Sequence, residues 1–289
     1  MTRLIHLTDL HFGAERTELV APLLAALQHC DADLLVVSGD LTHRAHPDQF
    51  RAAMSFLARL QKPVLTVPGN HDMPLWNFPL RLIDPFRRYR IGVDDPRPSP
   101  VRVGRFRIFL ANTADPYRWR SGILRESDVL RIERELQQAA RDVSDDRVLN
   151  VLVCHHPIEE PPGFDRGETR GALAGMSRLL NAGLDAVLTG HLHHWQIGLG
   201  ITAERPRRLL QIQSGTALCG RVGEHSHGFS VLDLKDERLT VTPWVIHETA
   251  VEFRPAAPAA FRQEHRLWHR LSGTGRQNIG QVVSRIAAT

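Results

Sequence analysis

The sequence predicts an α/β fold with two packed β-sheets flanked by helices, and three observations lead to this prediction. Short apolar runs typical of buried strands alternate with amphipathic stretches, which is the pattern of a largely parallel sheet covered by helices. Later in the chain, strand-like runs follow one another with only turns between them, as in an antiparallel sheet. The 289 residues are 42% hydrophobic and 24% charged, and this composition excludes a wholly disordered chain and a collagen-like one.

The predicted elements follow from these patterns in chain order. Short, almost continuously apolar runs predict strands at 4–8, 34–38, 64–67, 148–154 and 186–189. Apolar residues at helical spacing predict helices at 18–29, 47–60, 125–140 and 169–181. The later runs predict strands at 208–213, 229–234 and 239–246, and we expect them to pair antiparallel.

Residues 1–254 are predicted to form one domain, and residues 255–289 a C-terminal arm. The sequence changes character at Pro255, where a short Pro/Ala stretch is followed by a segment, 262–271, that predicts a short helix. We expect this arm to pack on the body of the domain or on a partner subunit, which would make the protein a homo-oligomer.

Several features of the chain predict a cytoplasmic protein that does not enter a membrane. No apolar run approaches the roughly 18 residues that a spanning helix needs. Asp9 and His11 stand where the apolar part of a secretory leader would have to be. The three cysteines, Cys30, Cys154 and Cys219, are too few and too scattered for a disulfide framework, as is usual in a reducing compartment.

The formal net charge of +4 does not by itself indicate a nucleic-acid partner. Only two of the 36 basic residues are lysines, and the arginines are interleaved with acidic residues along much of the chain. The densest basic stretch, 81–120, contains no recognisable nucleic-acid-binding module, so we interpret it as a solvated face of an arginine-rich protein.

Potential metal ligands follow five of the predicted strands, at the point where each strand ends. In open α/β sheets the carboxyl ends of the strands meet at one edge, where ligands bind. Residues far apart in sequence are therefore delivered to one place. In chain order these residues are Asp9, His11, Asp40, Asn70, His71, Asp72, His155, His156, His191 and His193.

The number and type of these side chains predict a site for two cations. In an extended segment, residues i and i+2 project to the same side, so Asp9 with His11, and His191 with His193, are expected to reach one site together. Carboxylate, amide and imidazole ligands without a thiolate favour Mn, Fe, Zn or Co. The predicted set exceeds what one tetrahedral ion needs and suits two ions that share a carboxylate, for which Asp40 is the natural choice. The full set is Asp9, His11, Asp40, Asn70, His155, His191 and His193.

The ordered motifs Asp-x-His, Gly-Asp, Gly-Asn-His-Asp, His-x-Pro and Gly-His-x-His resemble those of the calcineurin-like metallophosphoesterase superfamily. The resemblance covers residues 3 to about 250. Within the superfamily, the chain resembles the branch of bacterial cyclic-nucleotide and glycerophosphodiester phosphodiesterases. The resemblance implies a four-layer α/β/β/α sandwich of two mixed sheets flanked by helices, with a dinuclear metal centre.

Carried over motif by motif, the resemblance implies a role for each side chain. One ion, of Mn, Fe or Zn type, would be held by Asp9, His11, Asp40 and His193, and the other by Asp40, Asn70, His155 and His191. His156 is the alternative to His155. His71 would contact the phosphate or the leaving group, and Asp72 would orient His71.

The implied reaction is metal-dependent hydrolysis of a small soluble phosphodiester by in-line attack of a hydroxide that bridges the two ions. Two alternatives from the same site stay open: a phosphomonoesterase, and a metal-dependent nuclease that uses the arginine-rich stretch 81–120. A non-catalytic scaffold of the same fold is a third alternative, although such proteins usually lose ligands and none is missing in this sequence.

Five further residues are candidates for substrate contact or for the wall of a pocket. His43 and Arg44 follow the shared carboxylate, and the alternative is a solvated helix entry. His225 and His227 stand between two late strands and could line a pocket from a loop. Trp119 is a candidate pocket wall, with ordinary packing as the alternative.

Overall fold

The computed structural model describes residues 1–93, 99–141, 148–159, 169–199, 208–221, 227–247 and 249–272. The helices are α1 (Thr17–His29), α2 (Pro47–Ala58), α3 (Phe78–Ile83), α4 (Arg87–Val93), α5 (Glu126–Ala139) and α6 (Ala172–Ala182), and a 3₁₀ turn covers Asn70–Asp72. The strands are β1 (Thr2–Leu7), β2 (Leu34–Val37), β3 (Val64–Thr66), β4 (Val101–Val103), β5 (Phe106–Leu110), β6 (Leu149–Val153), β7 (Ala186–Thr189), β8 (Gln196–Leu199), β9 (Leu210–Gln213), β10 (Gly228–Lys235), β11 (Arg238–His247), β12 (Glu252–Pro255), β13 (Ala259–Glu264) and β14 (Leu267–Ser272).

The described strands form two mixed sheets. The larger sheet has the order β14-β13-β11-β10-β1-β2-β3, with β12 paired to β11 beside this path. Its β1, β2 and β3 are parallel, and its remaining pairs are antiparallel. The smaller sheet has the order β4-β5-β6-β7-β9-β8, in which β5, β6, β7 and β9 are parallel.

The larger sheet buries both of its faces, which explains why β2 is continuously apolar and why β1 carries apolar side chains on both faces at Leu4, Ile5 and Leu7. Successive side chains of a strand point to opposite faces. Leu4 and Leu34 therefore belong to a core shared with the smaller sheet. The next residues along each strand, Ile5 and Leu35, pack instead in a second core with α1 and α2.

The smaller sheet is covered in the same way on its outer face. Phe109, Leu152 and Val187 of β5, β6 and β7 form a third core with α5 and α6. Helix α5 is amphipathic, and it buries Val129, Ile132 and Leu136 at helical spacing against this face. The order of layers is thus helices, sheet, sheet, helices, which confirms the predicted four-layer α/β/β/α sandwich.

Two predictions about later elements were wrong. Strand β9 pairs parallel with β7 and only its other edge, with β8, is antiparallel. Residues 262–271 do not form a helix but lie in the hairpin of β13 and β14. Its turn residues, His265 and Arg266, both have positive φ angles (49° and 61°), the conformation that a tight two-residue hairpin turn requires.

The structure also bears on the segment predicted as an arm. Strand β13 pairs with β11, so the chain continues the larger sheet through Ser272. Residues 273–289 lie outside the described residues, and the division at 254/255 stays a prediction, as does a homo-oligomer. No helix in the described part of the chain is both long and apolar enough to cross a membrane.

Candidate dinuclear metal centre

The parallel strands of both sheets deliver polar side chains to one edge of the sandwich. Asp9 follows β1, Asp40 follows β2, Asn70 follows β3, His155 follows β6 and His191 follows β7. The backbone bends at once after three of these strands. The φ angles of Asp9, Asp40 and His191 are 55°, 53° and 71°, in the left-handed region that residues other than glycine rarely adopt.

The paired ligand candidates converge through left-handed backbone turns, whereas the sequence predicted extended backbone. His11 and His193 also have positive φ, 49° and 52°. Asp9 with His11, and His191 with His193, therefore lie on left-handed turns and not on extended backbone. Such backbone persists where the surrounding structure enforces it, and it is concentrated at functional sites.

A first cluster joins three of the predicted ligands. The Nε2 atom of His193 is 3.0 Å from Oδ1 of Asp9, and Nε2 of His11 is 3.4 Å from the same oxygen. The two Nε2 atoms are 3.2 Å apart. Three buried atoms that can bind a metal ion thus lie around a common point, as the ligands of one cation do.

A second cluster lies beside the first and is linked to it by Asp40. Nε2 of His155 is 3.3 Å from Oδ2 of Asp40 and 3.2 Å from Oδ1 of Asn70. The same Oδ2 is 3.5 Å from Nε2 of His11. Asp40 is therefore the carboxylate that both clusters share.

His191 is held at the junction of the two clusters. Its backbone N–H donates to Oδ2 of Asp9 at 3.0 Å, and its ring centroid is 5.2 Å from that of His155. His155, His156 and His191 offer ring nitrogens that lie within 4.8 Å of one another.

The structure separates the surroundings of His155 from those of His156. The Nδ1–H of His155 donates to the carbonyl of Ser38, 2.8 Å away, and Nε2 faces Asp40 and Asn70. His156 uses Nδ1 in a 3.0 Å hydrogen bond with Oγ1 of Thr113, and its buried Nε2 has no hydrogen-bond partner. His155 is thus the one that contacts the shared carboxylate.

Two glycines allow the clusters to form. A Cβ atom on Gly69 would collide with Oδ1 of Asp40, and one on Gly190 would collide with Oγ1 of Thr8 and with Oδ2 of Asp9. The backbone of each therefore approaches a ligand side chain more closely than any other residue type permits.

The electrostatics of the clusters suit a cation. Burial alone would raise the pKa of Asp9, but the adjacent His193 holds that pKa well below its usual value. Burial likewise opposes ionisation of Asp40, and His155 lowers its pKa. Burial lowers the pKa of His11 to about 3, so this ring is neutral. Ionised carboxylates and neutral imidazoles are the states that bind metal.

His155 differs from the other imidazoles. Burial would lower its pKa, but the charge of Asp40 and the hydrogen bond to it raise the pKa to about 9. In the absence of a cation, Nε2 of His155 therefore carries a proton that it donates to the carboxylate of Asp40. Metal binding must displace this proton.

His71 and Asp72 lie beside the clusters with separate tasks. The Nδ1 atom of His71 is 2.9 Å from the carbonyl oxygen of His43, which orients the ring, and the ring centroid is 4.7 Å from that of His11. Asp72 was predicted to orient His71. Instead its carboxylate accepts hydrogen bonds from the backbone N–H groups of Leu41 (3.2 Å), Thr42 (2.9 Å) and Gly69 (3.0 Å). Asp72 thus fixes the turn that carries Asp40.

A cleft of about 510 Å³ opens over the clusters. Four arginines line it together with His43, His71 and the indole of Trp119, and Asp40 is the one carboxylate among the described lining residues. The arginines are Arg44, Arg81, Arg120 and Arg221. The walls therefore favour an anion.

The structure also locates the remaining substrate-contact candidates. His43 and Arg44 line the cleft, as does Trp119. His227 is completely buried and is not among the described residues that line the cleft, and His225 lies outside the described residues.

Sequence reasoning missed two residues near the first cluster. Cys219 offers a sulfur within 4.8 Å of ligand atoms of His11 and His193, whereas the predicted ligand set contained no thiol. Arg221 reaches the cleft with Nη2 3.3 Å from Nε2 of His193. Both lie in the segment that follows β9, a strand parallel to β7 that ends at the same edge, but they stand several residues beyond the strand end, so the strand-end rule did not identify them.

Comparison with known proteins identifies a family and several relatives. A family model described as calcineurin-like phosphoesterase matches residues 2–195. A protein named "Probable cyclic nucleotide phosphodiesterase" from Vesicomyosocius okutanii subsp. Calyptogena okutanii (strain HA) is 23% identical over 260 residues, which cover 84% of this chain and 98% of that protein. The glycerophosphodiester phosphodiesterase GpdQ of Enterobacter lignolyticus (strain SCF1) is 30% identical over 80 residues, 24% of this chain and 29% of that protein.

Solved structures share the fold at low sequence identity. A purple acid phosphatase from yellow lupin (Lupinus luteus) seeds matches with a TM-score of 0.64 at 15% identity over 92% of this chain, which spans 54% of that protein. A dimetal phosphatase from Danio rerio matches with a TM-score of 0.57 at 15% identity, covering 88% of this chain and 98% of the other. With the family model matching two thirds of its length, the chain belongs to the calcineurin-like phosphoesterase family.

Proposed function

We propose that the protein is a metal-dependent phosphodiesterase that hydrolyses a small phosphodiester of the cyclic-nucleotide or glycerophosphodiester type. The observation that carries the proposal is the position of Asp40, whose Oδ2 lies within 3.5 Å of His11 and 3.3 Å of His155 and so joins two clusters of ligand atoms. The names of the two relatives above, both phosphodiesterases, support the choice of a diester.

The donor set fits two divalent or trivalent cations of Mn, Fe or Zn type. One cation would be held by Asp9, His11, Asp40 and His193, and the other by Asp40, Asn70, His155 and His191. When bound, such cations supply the positive charge that activates water and offsets charge on a phosphate.

Two arginines and His71 would act on the substrate directly, and Asp72 would support the turn behind them. Arg44 and Arg221 present guanidinium groups that bind phosphate oxygens. The Nδ1–H of His71 donates to the carbonyl of His43, so Nε2 is the atom of this ring that transfers protons; in the imidazolium form, which burial makes more acidic by lowering the pKa of His71, Nε2–H gives its proton to the leaving alkoxide. Asp72 keeps the turn with Asp40 in place through the backbone amides that it accepts.

The test begins with protein stripped of metal and reloaded separately with Mn, Fe, Zn and Co. We expect hydrolysis of bis(p-nitrophenyl) phosphate to depend on reloading and to exceed that of p-nitrophenyl phosphate. Faster turnover of the monoester would move the assignment to a phosphomonoesterase. Cleavage of DNA or RNA with steeply salt-dependent binding would instead indicate the nuclease.

The Asp40→Ala variant tests the shared carboxylate. Because Asp40 contacts both clusters, its loss should remove both ions, measured by elemental analysis, and reduce diester hydrolysis by at least about 10³-fold. Asp31→Ala is the matched control and should change neither quantity. The Asp31 side chain is 99% exposed, and its ion pair with Lys62 lies at the protein surface. Full metal content in Asp40→Ala would contradict the shared-ligand assignment.

A further inference from the structure

Two exposed tryptophans form an aromatic shelf at the cleft. Trp76 and Trp119 define this shelf. They are 75% and 49% exposed, respectively. Their ring centroids are 6.3 Å apart at an interplanar angle of 62°. Adjacent exposed apolar side chains are typical of binding sites, and Trp119 itself lines the cleft.

The shelf is held in place by a buried guanidinium group. Arg81 is only 4% exposed, and its guanidinium carbon lies 5.0 Å from the centroid of the Trp119 ring. Its nitrogens donate to the carbonyl oxygens of Pro116 (2.7 Å), Pro74 (3.2 Å) and Arg118 (3.2 Å). Arg81 thus connects the segments that carry the two tryptophans. Its guanidinium group also lies over the Trp119 ring and fixes the position of that ring.

The shelf is also connected to the metal centre. Nδ2 of Asn70 donates to the backbone carbonyl of Trp119 at 3.2 Å, which leaves Oδ1 of Asn70 facing His155. An anion at the clusters and a ring on the shelf would therefore occupy neighbouring parts of one cleft.

The other walls of the cleft define the class of ligand. Arg44, Arg120 and Arg221 supply positive charge, and Met73 and Leu75 supply apolar surface. A cleft with a cationic part and an aromatic part suits an anion that carries a planar ring.

We propose that Trp119 determines substrate specificity by stacking on the base of a nucleoside-bearing phosphodiester, so that the enzyme prefers such diesters to those of aliphatic alcohols. This inference rests on the proposed function and adds to it the residue that selects the substrate. The indole provides the stacking surface, and the metal clusters and arginines hold the phosphate.

The test compares two substrates with the same leaving group, thymidine 5′-(p-nitrophenyl) phosphate and ethyl p-nitrophenyl phosphate, on Mn-loaded protein. In Trp119→Ala we expect KM for the thymidine diester to rise about ten-fold or more, as loss of one base–aromatic stack predicts. The kinetic constants for the ethyl diester should stay within about two-fold, since no base is present to stack. Trp119→Phe, which keeps an aromatic ring, should restore most of the preference.

Tyr117→Ala is the matched control. Tyr117 is an aromatic residue of the same loop, 77% exposed, but it is not among the described residues that line the cleft. Its removal should leave the preference for the thymidine diester unchanged.

Binding gives a readout that does not depend on turnover. Trp195 and Trp268 are each only 1% exposed, so added adenosine 5′-monophosphate should quench mainly the exposed tryptophans. We expect quenching of the Mn-loaded wild type by adenosine 5′-monophosphate but not by glycerol 3-phosphate, and weaker quenching in Trp119→Phe.

The outcomes separate this inference from the proposed function. If both diesters are hydrolysed with metal and Trp119→Ala slows them equally, the inference is wrong and the proposed function stands. If neither diester is hydrolysed under any metal, both are overturned. Unchanged preference in Trp119→Ala would also overturn the inference.

Discussion

At the scale of single residues, His71 is the side chain next to the ligand clusters whose role most needs a test. Its ring is 4.7 Å from that of His11, yet its backbone N–H donates to Oδ1 of Asp40 at 2.8 Å and its Nδ1 is engaged with the carbonyl of His43. Both contacts place the ring at the side of the clusters that faces the cleft. His155, a proposed ligand, likewise has Nδ1 on a backbone carbonyl, so these contacts alone do not separate the two roles. We propose that His71, which lines the cleft, transfers a proton and does not bind metal, and the following variant tests this.

His71→Ala should keep the metal content of the wild type and lower kcat for the diester by about 10²–10⁴-fold, the usual contribution of a positioned proton donor. Elemental analysis and steady-state kinetics measure the two effects. The exposed His29 gives a control, His29→Ala, that should change neither. A site emptied by His71→Ala would show that His71 is a ligand.

The residues that sequence reasoning found and those that it missed differ in what positions them. Asp9, Asp40 and His155 follow strongly apolar strands directly, so their place at the sheet edge could be predicted. Trp119 was a candidate pocket wall and does line the cleft, but the sequence did not predict what holds it there. Its ring packs on the buried Arg81, which belongs to the stretch that was interpreted as a solvated basic face. Such long-range contacts leave no local pattern.

At the scale of secondary-structure elements, the hairpin of β13 and β14 ties the end of the described chain to the core between the sheets. Trp268 of β14 is 1% exposed and packs in that core, and its Nε1 donates to the backbone carbonyl of Asp185, just before β7, at 2.9 Å. The hairpin was not predicted because its turn, His265-Arg266, lacks the glycine or asparagine that usually marks such turns.

Trp268→Ala should lower the free energy of unfolding by about 3–5 kcal/mol, the usual cost of removing a buried tryptophan. Chemical denaturation followed by circular dichroism measures the change. The neighbouring Leu267 is 40% exposed, so Leu267→Ala should cost well under half as much. Equal effects of the two substitutions would show that the hairpin does not contribute to the core.

At the scale of the whole molecule, the two ends of the sandwich bury charge in different ways. One end carries the two clusters of candidate metal ligands, whereas the other buries Asp185. The carboxylate of Asp185 accepts hydrogen bonds from the backbone N–H of Asn150 (2.9 Å) and from Nε2 of Gln263 (2.6 Å). Burial raises the pKa of Asp185 to about 6, from an ordinary value of 3.8. The folded protein therefore binds this proton more tightly than the unfolded chain does.

This difference makes the stability of the fold depend on pH. The favourable contribution of the protonated carboxyl is present below about pH 4 and is lost as the pH rises to about 6, by up to about 3 kcal/mol. Asp185→Asn should remove this part of the pH dependence. Urea unfolding of metal-free wild type and variant from pH 4 to 7 compares the two slopes, and parallel curves would contradict the assigned pKa.

The left-handed turns at Asp9, His11, Asp40, His191 and His193 have a consequence for the choice of ion. Because these turns fix the path of the main chain, we expect the site to accommodate a larger or smaller cation through changes in side-chain torsion angles. Exchange of one transition metal for another should then alter bond lengths while the loops keep their path. We expect such a scaffold to accept more than one kind of transition-metal ion without a change in the path of these turns.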